Sequence, residues 1–142
     1  MPGGGCFCGA CRIEYTGEIQ AKALCHCMDC RKITGSTYST NIIVPGEGFS
    51  VKSGTPKTIS KKGDDTGNEI TSHFCGDCGS TMWRDGPTFG DGKVIKVGIL
   101  DDSNSLEASK PALELYAPLR PSWLPAVPGA DQKKNMPGSE SV

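Results

Sequence analysis

The amino-acid sequence predicts a small, mainly β domain whose fold is reinforced by bound metal. Nineteen glycines and ten prolines in 142 residues argue against long helices, because both residues are costly inside a helix. Several short stretches alternate polar and apolar residues, which is the period of a half-buried strand. Eight cysteines fall into three tight clusters, and the first two clusters share the spacing CxCxxC. A chain of this length forms one domain with a modest core, which bound metal would supplement.

The first predicted strand covers residues 12–16, where polar and apolar side chains alternate before a glycine. Cys11 has the same parity as Ile13 and Tyr15, and a strand directs side chains of equal parity to one face. That face is apolar. We therefore expect Cys11 to be a small buried hydrophobic residue rather than a metal ligand.

The second cysteine cluster lies in residues 25–32, which we predict to form a tight metal-binding turn with at most one short helical turn. Three β-rich segments follow, separated by glycine and proline. They predict strands over residues 39–44, 49–52 and 57–60. The polar run 61–68 predicts a solvated hairpin loop, with contact to a substrate as the alternative.

Further strands flank the third cysteine cluster. Residues 69–74 alternate again and lead into this cluster, and residues 81–84 leave it as another strand. The dipeptide Asp91-Gly92 is a strong turn signal. It predicts that a new strand begins after it, over residues 93–98.

The pattern weakens in the last third of the chain. Residues 111–116 are predicted to form a final strand, and the prolines that follow keep the chain extended. Residues 129–142 are expected to be a disordered tail. The predicted domain therefore covers residues 3–128.

Charge and the N-terminal sequence argue against several classes of protein. The net charge is −1 and the basic residues are scattered, unlike the positive surface of a nucleic-acid binder or the basic face of a membrane-surface helix. The first residues show no secretory signal, and no apolar stretch is long enough to span a membrane. We therefore expect a cytoplasmic protein with reduced thiols and small-molecule substrates. In that setting the cysteine spacing predicts metal sites, with a disulfide framework as the alternative.

The eight cysteines can be divided between metal ions in two ways. Either two closed four-sulfur sites use all eight, or one closed site is combined with a three-sulfur site and a spare cysteine. The strand parity of Cys11 favours the second division. The closed site then comprises Cys6 and Cys8 from the first cluster with Cys75 and Cys78 from the third. Such a site closes a long loop and would contribute to folding.

The second cluster, Cys25, Cys27 and Cys30, is left with three sulfurs. Zinc held by three protein ligands keeps a fourth position for water or substrate, which is the catalytic arrangement. His26 is disfavoured as the fourth ligand, because a ring between two ligating cysteines cannot easily turn onto the same ion. His73 is expected to be an exposed strand residue.

Arg31 and Lys32 directly follow the second cluster. Their positive charges would ease the clustering of three thiolates and could bind a carboxylate of an acidic ligand. The alternative is that both are ordinary surface residues. Arg84 and Arg120 are further candidates for binding a carboxylate, on charge alone.

Four sequence motifs together resemble one enzyme family. They are GCFCGA at residues 5–10, CHCMDCRK at residues 25–32, FCGDCGS at residues 74–80 and RPSWL at residues 120–124. In order and spacing they are similar to the motifs of the glutathione-dependent formaldehyde-activating enzymes, also called S-(hydroxymethyl)glutathione synthases. The resemblance extends over residues 3–128.

The resemblance implies a β-tent of antiparallel sheets around a structural zinc, and two zinc ions per chain. The structural zinc would be bound by Cys6, Cys8, Cys75 and Cys78. The catalytic zinc, where the thiol of glutathione acts, would be bound by Cys25, Cys27 and Cys30. The implied reaction joins glutathione to formaldehyde, and its reverse is a carbon–sulfur lyase reaction. Zinc would assist by lowering the pKa of the thiol.

Three functions remain open at this point. The first is formation of S-hydroxymethylglutathione from glutathione and formaldehyde. The second is a related carbon–sulfur bond reaction on another aldehyde or glutathione conjugate in specialised metabolism, because a shared fold does not fix the substrate. The third is a zinc-stabilised binding module without turnover, which would need only the four-sulfur site.

Overall fold

A computed structural model describes residues 2–63 and 66–142 of the chain. In chain order, its strands and α-helices are β1 (Gly3–Gly5), β2 (Arg12–Glu14), β3 (Ala21–Cys25), α1 (Met28–Thr34), β4 (Ser39–Val44), β5 (Ser50–Ser53), β6 (Lys57–Lys62), β7 (Glu69–Phe74), β8 (Thr81–Asp85), β9 (Lys93–Lys96), α2 (Ser103–Ala108), β10 (Leu113–Leu115) and β11 (Asp131–Gln132). Short 3₁₀ turns lie at Pro87–Phe89, Val97–Ile99 and Ala117–Leu119. The mainly β class predicted from the sequence is confirmed. No helix in this part of the chain has the length and apolar character needed to cross a membrane.

The strands form two sheets of unequal size. The larger sheet has eight strands in the order β11-β10-β3-β4-β9-β8-β7-β6. Its pairs from β3 to β6 are antiparallel, whereas β10 is parallel to both β3 and β11. The smaller sheet joins β1, β2 and β5 in antiparallel pairs. The expected antiparallel arrangement therefore holds except at the edge formed by the C-terminal strands.

The main core joins the smaller sheet to one face of the larger sheet. Ile13 of β2 is buried there with Ile42 of β4 and Ile95 of β9, which lie opposite each other. The chain approaches itself closely at Gly4, where a Cβ atom would lie 2.0 Å from the carbonyl oxygen of Ile99. Only glycine fits at that position, which explains why β1 can lie so close to the end of the β9 segment.

The predicted strand parity around Cys11 is confirmed. Cys11, Ile13 and Tyr15 are all buried in the main core. The strand itself is shorter than predicted, because β2 ends at Glu14. Cys11 is thus buried immediately before β2, as its shared parity with Ile13 and Tyr15 predicted.

The opposite face of the larger sheet carries a second, smaller core. Cys25 of β3 lies opposite Leu115 of β10, and α1 packs Cys30 against them. Helix α1 begins after Cys27, whose side chain accepts a hydrogen bond from the N–H of Cys30, and it ends at Gly35 with φ of 71°. Both ends follow the usual capping rules. With seven residues, the helix is longer than the single turn predicted from the sequence.

β1 and β3 are among the strands that the sequence did not predict. β1 consists of three glycines and β3 is an alanine-containing segment, and both residue types have low β propensity. Pairing compensates for this, since β1 is bonded to β2 and β3 lies between β4 and β10. Tertiary context therefore decides these two elements.

The C-terminal segment departs from the disordered tail expected for residues 129–142. β11 is paired with β10, the N–H of Lys133 donates to the carbonyl oxygen of Glu114 at 2.8 Å, and the N–H of Val142 donates to that of Gln132 at 2.7 Å. The side chain of Gln132 also donates to the Glu114 carboxylate at 2.7 Å. A buried carboxylate requires such donors, and composition alone does not show this requirement.

The hairpin predicted around the polar run 61–68 is formed by β6 and β7. The two strands pair from Lys57 with Phe74 to Lys62 with Glu69, and the side chains of β6 are exposed. Asp64 and Asp65, which belong to the same polar run, lie outside the described residues. The outer edge of the larger sheet is thus a solvated strand.

Candidate metal centres and active site

Four cysteine sulfurs converge where two turns meet. Cys6 and Cys8 lie on the turn between β1 and β2, and Cys75 and Cys78 lie on the turn between β7 and β8. All four Sγ atoms lie within 4.8 Å of one another, and those of Cys8 and Cys75 are 3.8 Å apart. The structure therefore brings together the four residues predicted for the closed site.

The two turns close in the same way. The N–H of Cys6 donates to the carbonyl oxygen of Cys11 at 3.0 Å, and the N–H of Cys75 donates to that of Ser80 at 3.0 Å. Each turn contains a glycine with positive φ, a conformation that strains other residues. These glycines are Gly9 and Gly79. The repeated geometry places two sulfurs from each turn on the same side.

The contacts of these sulfurs shift their pKa values in opposite directions. The hydroxyl and the N–H of Ser80 lower the pKa of Cys78 to about 5. The N–H of Ala10 lowers the pKa of Cys8, but the neighbouring sulfurs outweigh it and raise the pKa of Cys8 to about 12. A cation among the four sulfurs would let all of them ionise, and tetrahedral sulfur coordination is typical of structural zinc. The donor set therefore fits zinc.

Cys11 lies beside the four-sulfur group without belonging to it. Its N–H donates to the Sγ of Cys6 at 3.2 Å, so that its backbone supports the group. Burial raises the pKa of the Cys11 thiol to about 11, as expected for a thiol in the apolar core. The geometry agrees with the expectation that Cys11 is spare.

Three further sulfurs converge on the opposite face of the larger sheet. Cys25 ends β3, Cys27 caps α1 and Cys30 lies in the first turn of the helix. Their Sγ atoms also lie within 4.8 Å of one another. Cys25 and Cys30 are buried and Cys27 is half-buried. Within the described chain, no fourth Cys, His, Asp or Glu joins this group.

The protons of this second cluster are also shared unequally. Hydrogen bonds with Cys25 and Cys27 lower the pKa of Cys30 to about 2, and contacts with Cys27 and Cys30 raise the pKa of Cys25. Metal binding would deprotonate all three cysteines, because the thiolate is the form that binds metal. Three thiolates fit zinc and leave one position for another ligand.

His26 is turned away from the cysteines on either side of it. Its ring is fully buried, and its Nε2 lies 2.8 Å from Oε1 of Glu114. Its Nδ1 is buried without a hydrogen-bond partner among the described residues. This orientation agrees with the expectation that His26 does not complete the metal site.

Glu114 is a buried carboxylate that the sequence did not point to. Its Oε1 lies near His26 and 3.5 Å from Nη1 of Arg120, and its Oε2 accepts from the N–H of Val127 and the amide of Gln132, both at 2.7 Å. Burial would raise the pKa of Glu114, but these hydrogen bonds outweigh it and lower that pKa. The only signal in the sequence is an acidic residue between two leucines in a predicted strand. Glu114 links the C-terminal segment to the histidine inside the second cluster.

Lys96 is a second buried ionisable residue that the sequence did not point to. Its Nζ donates to Oδ1 of Asn41 at 2.8 Å and to Oγ of Ser39 at 3.4 Å. The hydroxyl of Ser39 is also close enough to Cys30 to help lower the pKa of that thiol. Burial lowers the pKa of Lys96, and the thiolates nearby oppose this effect. A polar layer therefore lies beneath the three-sulfur group.

An open groove of about 560 Å³ lies beside α1 and is lined by Arg31 and Lys32. Both residues are exposed. Tyr38, Trp123 and Leu124 contribute apolar surface to the groove, and Trp123 is 71% exposed. The same helix carries one cysteine of the second cluster. The two basic residues and Cys30 therefore lie on one helix, whose N-cap is Cys27.

The other two arginines that were candidates for binding a carboxylate of the ligand are hydrogen-bonded to other residues of the protein. Arg84 is buried, and its Nε donates to Oγ of Ser72 at 3.1 Å. Arg120 donates to Oε1 of Gln132 at 2.5 Å and lies near Glu114. Neither residue lines the groove beside α1, so Arg31 and Lys32 are the basic residues that the groove presents.

His73 is half-buried, so the expectation of an exposed strand histidine is wrong. Its ring stacks on Trp83 with 4.2 Å between ring centroids, and its Nε2 lies 2.9 Å from Oδ1 of Asp85. Alternation along the strand predicts that His73 lies on the other face from the apolar residues and is exposed there. In the structure, Trp83 on the neighbouring strand covers the ring of His73. His73 is not part of either sulfur group.

Comparison with known proteins identifies the family. The model of the glutathione-dependent formaldehyde-activating enzyme family matches residues 1–118. The chain belongs to this family. The matched range includes the seven cysteines of both sulfur groups and ends before the RPSWL motif, so the C-terminal segment that contacts Glu114 lies outside the family match. A search of curated proteins gave no match.

A solved structure supports the fold. The chain is similar to a crystal structure of a protein from Rhodobacter sphaeroides, with a TM-score of 0.60 and 20% identity. The similarity covers 77% of this chain and 96% of that chain. At this identity the likeness shows the shared fold, while the family match carries the functional argument.

Proposed function

We propose that the protein is a zinc-dependent carbon–sulfur lyase of the S-(hydroxymethyl)glutathione synthase type, which joins the thiol of glutathione to formaldehyde. The observation that carries this proposal is the group of three sulfurs from Cys25, Cys27 and Cys30, which has no fourth protein donor in the described chain. An open position is what separates a catalytic zinc site from a structural one. Family membership supports glutathione and formaldehyde as the substrates.

The two sulfur groups would have different roles. The four-sulfur group would hold a structural zinc, and the three-sulfur group would hold a catalytic one. A zinc ion bound by the three sulfurs would lower the pKa of an arriving thiol, so that the thiolate is available near neutral pH. Cys27 is the least buried of the three cysteines, and glutathione would approach from its side.

The groove beside α1 would bind the rest of glutathione. The tripeptide carries carboxylates, which Arg31 and Lys32 would bind through charge-assisted hydrogen bonds. Trp123 and Leu124 would pack against its aliphatic parts. Because the same helix holds Cys30, binding in the groove would fix the position of the thiol relative to the three sulfurs.

The reaction itself is an addition. The sulfur of glutathione forms a bond to the carbon of formaldehyde, the π electrons of the carbonyl group move to its oxygen, and that oxygen takes the proton released by the thiol. No oxidant or reductant is consumed. The reverse reaction breaks the same carbon–sulfur bond, which is the lyase direction.

Elemental analysis of matched variants tests the two-zinc assignment. We expect two zinc ions per chain in the purified protein, one in Cys27→Ser, and two in the control Cys11→Ala, which removes a buried cysteine outside both groups. A single zinc ion that persists unchanged in Cys27→Ser would exclude the catalytic site.

Turnover assays then separate the possible reactions. Formaldehyde should be consumed with glutathione by the wild type and not by Cys27→Ser. Preference for a larger aldehyde or a glutathione conjugate would change the substrate while keeping the chemistry. Glutathione binding without turnover of any aldehyde would indicate a binding module. We also propose a cytoplasmic location, because a reducing compartment keeps metal-binding cysteines from forming disulfides, and none of the eight cysteines is paired in a disulfide.

A further inference from the structure

The polar layer beneath the three-sulfur group contains two buried cations. Lys96 and Arg84 are each 7% exposed. Their hydrogen-bond acceptors are neutral side chains, and neither cation is paired with a carboxylate among the described residues. Lysine and arginine are rarely buried without an opposite charge. Among the described residues, the cysteines of the second cluster are the nearby groups that can carry negative charge and that favour the charged form of Lys96.

The ammonium group of Lys96 is fixed in position. It donates to Asn41 at 2.8 Å and to Ser39 at 3.4 Å, and the amide of Asn41 donates in turn to the hydroxyl of Ser39 at 2.9 Å. The two acceptors therefore hold each other in place. They orient the positive charge of Lys96 without cancelling it.

The register of the strands places this charge on the same face as the second cluster. Asn41 is paired with Lys96 across β4 and β9, and Ser39 is paired with Cys25 across β4 and β3. Residues two apart on a strand share a face, and α1 places Cys30 on that face. Ser39 accepts a hydrogen bond from Lys96, and its hydroxyl is close enough to Cys30 to help lower the pKa of that thiol. The charged groups that face Lys96 are the three cysteines of the cluster and Arg84.

The number of thiolates in the second cluster determines the net charge of the site when a metal ion is bound. Three thiolates that hold a divalent ion keep a net negative charge. In a buried site such a charge is costly, and it repels another anion. The sulfur of glutathione would enter the site as an anion. A fixed cation beside the thiolates lowers both barriers, because Coulomb interactions are strong at low dielectric.

We propose that Lys96 is the counter-charge of the three-cysteine site, a positioning residue that offsets the net negative charge of the metal-bound thiolates and admits an anionic sulfur at the fourth position. The identity of the incoming ligand rests on the proposed function, whereas the effect on metal binding does not. Arg84 adds positive charge to the same layer but is bonded to Ser72 of β7, on the side away from the cluster. Its contribution is the smaller one.

Three substitutions isolate the charge of Lys96. Lys96→Met keeps the length of the side chain and removes the charge, whereas Lys96→Arg keeps the charge. Lys93→Met is the matched control, because Lys93 lies on the same strand but pairs with Asp85 at 2.8 Å. Thermal unfolding reports whether each variant folds. If Lys96→Met does not fold, Lys96→Gln replaces it and retains a donor for Asn41.

Calorimetry with two ligands tests the effect on the fourth position. Zinc-loaded protein is titrated with glutathione and with S-methylglutathione, which has the same carboxylates but no ionisable thiol. Lys96→Met should weaken the binding of glutathione by on the order of tenfold and leave that of S-methylglutathione nearly unchanged. Lys96→Arg should restore most of the loss. Equal losses for both ligands, or no loss for glutathione, would overturn the role of Lys96 at the fourth position.

Competition with a chelator tests the metal itself and does not depend on glutathione. At neutral pH, Lys96→Met should bind zinc at the second cluster on the order of tenfold more weakly, with no change at the four-sulfur group. Unchanged zinc affinity at the second cluster would overturn the counter-charge assignment.

The two titrations also separate this inference from the proposed function. If the wild type binds no glutathione, the proposed function would be wrong. If Lys96→Met then still binds zinc at the second cluster more weakly than the wild type does, the counter-charge assignment would be supported. If the wild type binds glutathione, and Lys96→Met binds both glutathione and zinc as tightly as the wild type does, the proposed function would be supported and the counter-charge assignment would be wrong.

Discussion

The two sulfur groups differ in how much of the chain they connect. The four-sulfur group joins turns that are distant in sequence, with contacting cysteines 67 residues apart. The three-sulfur group is made from one segment, residues 25–30, at the junction of β3 and α1. Cross-linking distant segments restricts the unfolded chain more than a local link does. The first group is therefore suited to hold the fold, and the second is free to serve chemistry.

The groups also differ in their surroundings. Each group has two buried cysteines and one that is half-buried, and the four-sulfur group has an additional exposed member, Cys8. The second group is backed by the polar layer of Lys96 and by the buried pair of His26 and Glu114. Buried polar networks are held in place by many partners. A buried polar network therefore holds the three-sulfur group in place.

The largest expected effect comes from removing a ligand of the four-sulfur group. Cys75→Ser should unfold the domain at 37 °C, because structural zinc sites contribute about 10 kcal/mol or more of apparent binding free energy to folding. Cys27→Ser should keep the fold and lose one metal ion. Circular dichroism and limited proteolysis measure the first outcome, and elemental analysis measures the second.

A chelator should reproduce this contrast in the unmodified protein. The second group should release its metal first while the fold persists, and the protein should unfold only when the four-sulfur group is emptied. Simultaneous loss of both metal ions and of the fold would break the distinction between the two groups.

The next effect concerns the buried carboxylate behind the second group. Glu114→Gln replaces an acceptor of several hydrogen bonds with an amide that carries its own donors, so that one donor faces another. We expect a loss of about 2–3 kcal/mol in the free energy of unfolding and weaker metal retention at the second group. Glu107→Gln on exposed α2 is the control, with little expected change. Urea unfolding and zinc competition measure the two quantities. Weaker binding at the four-sulfur group alone would contradict the proposed link.

The same carboxylate gives a pH dependence. The pKa of Glu114 is below its ordinary value of 4.5 in the folded state, so its contribution is fully present above that value and is lost as the pH falls through the folded pKa. The difference in unfolding free energy between the wild type and Glu114→Gln should be constant above pH 5 and should shrink below about pH 4.5. A difference that grows on acidification would contradict the assignment.

The comparison also shows which parts of the site can be read from the sequence. The spacing of Cys25, Cys27 and Cys30 is local, and the parity of Cys11 needs only one strand. Lys96 and Glu114 could not be predicted in the same way, because their partners lie on strands that are distant in sequence. Their roles depend on the order β10-β3-β4-β9, which alternation within a single strand does not reveal.

The fold shows the same division between local and distant information. Strands such as β4 and β7 were predicted with the bounds that the structure gives, because each alternates or is rich in β-branched residues. β1 and β11 were not predicted, since three glycines and the dipeptide Asp131-Gln132 have no strand pattern of their own. Both exist because a neighbouring strand provides hydrogen-bond partners. The ordered C-terminal segment follows from the same cause.

The smallest expected effect tests why two CxCxxC clusters with identical spacing arrange their sulfurs differently. In the second cluster, the last cysteine lies in α1, and the helical turn brings Cys30 back to the other two sulfurs. In the first cluster, Cys11 immediately precedes β2 and packs in the core with Ile13. Cys11→Ala should therefore keep both metal ions and lose only about 1–2 kcal/mol of stability from the small cavity. Elemental analysis and urea unfolding measure this, with Cys30→Ala as the matched variant that should lose one metal ion. Loss of zinc from the four-sulfur group in Cys11→Ala would show that the extra sulfur has a role in binding the metal, and the division of the cysteines into four, three and one would then be wrong.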